Sequence, residues 1–163
     1  MPAMFFQAVK ASGILTDAQY ASVQAEQSNV RNSTFYSAMM RSKIVSEDTL
    51  VNFACSHYGI ARVKNAFKVE VDFEATAKVM GNVFSAIEAR MFALMMEGKL
   101  YFVLNDPENE VLRSKISAGL GQEPLYMLLT SKEYEIILQY QLTPRAISEQ
   151  AAKIKTTGST SAN

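Results

Sequence analysis

The side chains of this 163-residue chain best placed to do chemistry are few: one histidine (His57), one cysteine (Cys55) and a run of carboxylates at Asp106, Glu108 and Glu110. A lone histidine has no second His, Cys or acidic pair at ligand spacing, so no metal centre follows from it. As a general base it would need a nucleophile and an orienting partner, and the sequence identifies neither. Beside Tyr58 at a helix end it reads as a half-buried packing residue. Cys55 lies among Leu50, Val51 and Ala54, a setting for a small buried thiol rather than a reactive one. The carboxylates open a helix, where they favour its positive end. Gly119-Leu-Gly121-Gln122 lacks the lysine of a phosphate-cradling loop and reads as a helix stop. No enzyme is expected.

Sixteen basic and sixteen acidic residues cancel, and 48% of the chain is hydrophobic. A neutral surface gives no long-range attraction for nucleic acid or anionic lipid, and the apolar content is that of a packed protein. The single Cys fits a reducing compartment. The first residues have neither a basic region nor a long apolar stretch, so they do not read as a signal peptide. The longest apolar run, near 91–96, is too short to cross a bilayer. A cytoplasmic location is expected.

The elements around these residues begin with a duplication. A shift of 30 positions lays Ser12-Gly13-Ile14-Leu15-Thr16-Asp17 on Ser42-Lys43-Ile44-Val45-Ser46-Glu47, Phe5 on Phe35, and Phe6 on Tyr36. Each copy is a short helix, a tight turn and a second helix. Gly13 suits the left-handed end of the first helix. Thr16 with Gln19 three residues on forms a capping box, and Ser46 caps the second copy. Lys43 stands where the glycine would be. Four helices should form one lobe over residues 1–58.

Residues 59–142 mix both periodicities. The stretch 63–71 ends in strand-like alternation, 73–80 and 83–90 are short helices, and 91–96 and 100–104 are strands joined by a Glu97-Gly98-Lys99 turn. Asp106 and Pro107 should open a helix running to the glycines at 119 and 121. A strand at 125–129 and a helix capped by Thr130 and Glu133 complete the lobe. The expected class is α+β: a four-helix lobe made of a duplicated hairpin, then a small mixed sheet with helices on one face. Residues 143–163 allow a polar helix after Thr143-Pro144 and end in a small, polar stretch that reads as a linker or disordered tail.

This order, with Lys99-Leu-Tyr-Phe-Val-Leu-Asn-Asp-Pro107 as a strand ending in an Asn-Asp-Pro step, resembles the N-terminal domain of type II secretion and type IV pilus assembly ATPases over residues 4–142. The resemblance implies a domain without the motor's catalytic loop, docking to an inner-membrane platform protein or a cytoplasmic adaptor. It would reach the inner membrane only through those partners. In many members each helical copy carries a cyclic-di-GMP motif, read by an Arg, glycines, a final Gln and a leucine-rich wall. Over 4–27 the matching positions hold Met4-Phe5-Phe6, Val9, Gly13, Tyr20, Gln24 and Gln27. Over 34–57 they hold Thr34-Phe35-Tyr36, Met39, Lys43, Leu50, Ala54 and His57.

The resemblance therefore implies that Gly13 and Gln27 retain a motif role, with His57 in place of the second Gln. The phosphate-reading Arg is absent from both copies, and each lost charge-assisted hydrogen bond costs roughly 1.5–3 kcal/mol. The scaffold is expected to persist without a bound cofactor; Arg31 and Arg41 lie near enough in sequence to stand in for the missing Arg. Phe5, Phe6, Phe35, Tyr36, Met39 and Met40 occupy former motif positions. Exposed, they would form a partner-binding face; buried, they fill the core.

Overall fold

In the computed structural model, residues 4–161 are described, with side chains through residue 154. Helices α1 (Phe5–Ser12), α2 (Asp17–Asn29), α3 (Phe35–Ser42) and α4 (Glu47–Tyr58) form the two hairpins of the duplication. Thr16 and Gln19 make the reciprocal box: Gln19 N donates to Thr16 Oγ1 at 3.1 Å and Thr16 N to Gln19 Oε1 at 2.9 Å. Thr34 and Ser46 cap α3 and α4 by the single bond alone, accepting from Ser37 N and Thr49 N. Gly13 ends α1 at φ 76°, and Lys43 ends α3 at φ 55°. The second turn thus keeps the left-handed shape of the first, at a cost of roughly 1–2 kcal/mol for the side chain that glycine would lack.

The second half threads β1 (Ala61–Arg62), β2 (Glu70–Val71), α5 (Phe73–Met80), α6 (Val83–Ala89), β3 (Ala93–Met96), β4 (Lys99–Val103), α7 (Glu110–Leu120), β5 (Leu125–Leu128), α8 (Ser131–Ile137) and α9 (Thr143–Ser161). The five strands lie in the order β1-β5-β4-β3-β2. β5 runs parallel to both β1 and β4, and the β2–β3 and β3–β4 pairs are antiparallel. Glu97 and Gly98 take φ 52° and 76°, the paired positive values that a two-residue turn matching strand twist requires.

Alternation along the central strands buries both faces of the sheet. Ala93, Phe102, Leu104, Tyr126 and Leu128 share one core with α5, α7 and the helical lobe. Leu94, Met96, Val103 and Met127 face the other way, into a core with α6, α8 and Ala146 of α9. The α+β class and mixed sheet are as expected, but helices cover both faces rather than one. The cause is visible at the ends of β4 and β5, where Phe102-Val103 and Tyr126-Met127-Leu128 are consecutive apolar residues that are buried on both faces.

Two further expectations are corrected. The helix after β4 begins at Glu110 with Asn109 as its cap, not at Asp106. Asp106 is engaged elsewhere: Oδ2 accepts from Thr34 Oγ1 at 2.6 Å and Oδ1 from Glu108 N at 3.0 Å. The region from 143 is not a linker over its described length, because α9 continues to Ser161 and buries Ala146 against the sheet's second core. Residues 162 and 163 lie outside the described residues.

Between α8 and α9 the helix widens into a π turn over Leu138–Leu142. That turn carries Gln141, whose amide closes the edge of β2. Val71 N donates to Gln141 Oε1 at 2.7 Å, and Gln141 Nε2 donates to Val69 O at 2.8 Å. One side chain thereby occupies the backbone groups that an edge strand leaves open for another chain. Gln141→Ala strands both half-buried groups. We expect a loss of about 1–3 kcal/mol in urea denaturation, together with increased self-association on light scattering. An unchanged midpoint would show that water replaces the amide.

Candidate functional site

Phe5 sits at the centre of the helical lobe at 1% exposure. Its ring lies edge-on to Phe35 at 6.5 Å, Tyr36 at 5.9 Å, Phe53 at 5.9 Å and His57 at 5.7 Å, and stacks on Tyr58 at 5.8 Å. Phe35, Tyr36 and Met39 are buried beside it. Four of the six residues considered as a partner face are therefore core. They cluster because each copy places its apolar positions on the inward side of its first helix. Phe6 and Met40 alone remain partly exposed.

The three motif residues are not brought to one place. Gly13 is an exposed helix end. The Gln27 amide is engaged with the α2–α3 turn, Nε2 donating to Ser33 O at 3.1 Å. His57 is half-buried and stands on the wall of a cleft of about 480 Å3 with Tyr58, Glu108, Glu110 and Arg113. Another cleft runs between α1 and α2, lined by Phe6, Lys10, Asp17, Tyr20 and Gln24, with Lys10 Nζ 5.3 Å above the Tyr20 ring. Gly13 and Gln27 line neither. Arg41 is also committed: Nε donates to Glu26 at 3.1 Å, Nη1 to Ser37 at 2.7 Å and Nη2 to Ser33 at 2.6 Å.

What the structure adds is a set of charged contacts between the two halves. Glu47, in the first turn of α4, accepts from Ser131 N at 2.9 Å and Ser131 Oγ at 2.8 Å at the start of α8. Glu108 returns the arrangement, its Oε2 accepting from Tyr36 N at 2.8 Å at the start of α3. Each half thus supplies a carboxylate to a helix N-terminus of the other, where the helix dipole favours it. Arg62 binds Asp48 and Asn52 of α4 and approaches Glu133 of α8 at 3.4 Å. Glu47 is legible in sequence as an acidic first-turn residue, but its partner 84 positions away is not.

Burial pushes the Glu108 carboxyl above its usual range; the Tyr36 N–H opposes this and neighbouring Asp106 adds to it. A carboxyl whose folded pKa exceeds its unfolded one holds its proton more tightly when folded. The stability it contributes is fully present below the unfolded value and is lost as pH rises through the folded value. Glu108→Gln removes this titration and keeps an oxygen for Tyr36 N. The variant should match or exceed the parent at neutral pH and lose that advantage toward about pH 4. Urea titrations at both ends test this, and a constant difference would contradict it.

Burial likewise pushes the Cys55 thiol up to about 11, so it stays protonated, with Sγ 3.5 Å from Ala61 O. Arg113 lies over the rings of Tyr58 and Tyr126, its Nη2 donating to Pro107 O at 2.6 Å. Its Nε is buried without an acceptor. Among the described residues no group of three or more His, Cys, Asp or Glu is placed to hold a metal ion. None of the described helices is long and apolar enough to cross a membrane.

The architecture is that of a duplicated helical hairpin packed on one face of a small mixed sheet. No protein-family description matches the chain, and no curated protein matches it in sequence. Among solved structures its fold is similar to that of MshE, determined with cdg. The TM-score is 0.60 at 16% identity, covering 81% of this chain and 94% of that one. At that identity the likeness is one of fold.

Proposed function

We propose that this chain is a non-catalytic N-terminal docking and regulatory domain of a type II secretion or type IV pilus assembly ATPase. Its role would be to couple the motor to an inner-membrane platform protein or a cytoplasmic adaptor. The observation that carries the reading is the fold shared with MshE, an ATPase of that kind, over most of both chains. The charged contacts between the halves support a rigid body suited to transmitting force, since Glu47, Glu108 and Arg62 tie the helical lobe to the second half at separate points. The test is co-purification of this chain with the cytoplasmic parts of the platform and adaptor proteins of the same machine. A stoichiometric complex is the expected result, and failure to bind any of them would overturn the reading.

A second reading, a cyclic-di-GMP receptor, rests on the dinucleotide held by MshE and on the presence of a cleft between α1 and α2 in this chain. The side chains argue against it. Met4 and Thr34 stand at the Arg positions, the Gln27 amide is engaged with Ser33 O, and Arg41 with Glu26. Calorimetry with the dinucleotide at roughly tens of micromolar should show no saturable heat. A saturable signal would make this the better account.

A further inference from the structure

We draw no further inference here: the strongest candidate, the apolar groove between α6 and α9 where Phe84, Ile147 and Ile154 stand exposed, carries nothing because nothing in the structure shows what covers it.

Discussion

Phe5→Ala is expected to cost about 3–5 kcal/mol, the range for deleting a fully buried aromatic ring. The upper part applies because the cavity cannot collapse easily. Its walls are five other rings, contributed by α3 and α4, and each is held by its own neighbours. Edge-to-face contacts add to the simple burial of area. In a protein of this size the loss corresponds to a fall in Tm of roughly 6–20 °C. Circular dichroism on heating reads it directly. A loss below about 1 kcal/mol would show that the aromatic cluster repacks, contrary to the geometry.

Gly119→Val should be nearly as damaging, for a different reason. A Cβ at this position in α7 would lie 2.9 Å from Lys78 O and 3.2 Å from Val79 Cα, both backbone atoms of α5. Helix propensity alone favours alanine over glycine by about 1 kcal/mol, so Gly119→Ala would stabilise an isolated helix. Here the crossing decides the sign. Alanine should cost about 1–3 kcal/mol and valine roughly 3 kcal/mol or more, because the two helices must separate. Gly121 is the control: its φ is 76° but nothing lies within 4 Å of an added Cβ. Gly121→Ala should cost only about 1 kcal/mol, from backbone strain. Urea denaturation of the three variants checks the order, and a stabilised Gly119→Ala would refute the close-packing account.

These glycines show what could and could not be read in advance. Gly121 ends α7 in the left-handed conformation that the Gly119-Leu-Gly121 stop suggested. Gly119 does something else, which only the crossing with α5 reveals. The same division holds elsewhere. The Thr16–Gln19 box, the turn at Glu97 and Gly98, and the bounds of α5 follow from residues within a few positions of one another, and all were legible. The helices on the sheet's second face were not, because a short apolar run does not say whether one side or both are covered. Asp106 illustrates the competition directly. It has the chemistry of a helix cap, but a hydroxyl 72 residues away claims it, and Asn109 caps α7 instead.

The candidate site was legible as positions and not as contacts. Alignment of the two copies located Gly13, Gln27 and His57, and the structure separates them. Pattern left Phe5, Phe35, Tyr36 and Met39 open as either a partner face or core; spacing places them on one helix side but does not distinguish a side facing water from one facing the core. The two carboxylate contacts that join the halves, Glu108 to Tyr36 N and Glu47 to Ser131 N, span 72 and 84 residues. Neither has a local signature.

The π turn at Leu138–Leu142 also sets a phase. Each residue of an α-helix advances the azimuth by about 100°, so one additional residue in a single wide turn rotates everything beyond it by that amount. α8 and α9 are therefore one rod read in two frames. Ile137 and Leu142 both point into the sheet's second core, and Ala146 follows one turn on. Restoring regular geometry would carry Ala146 away from that core and withdraw Gln141 from β2. The widened turn acts as an indexing step: it decides which side of the last helix meets the body and which side, with Ile147 and Ile154, faces outward.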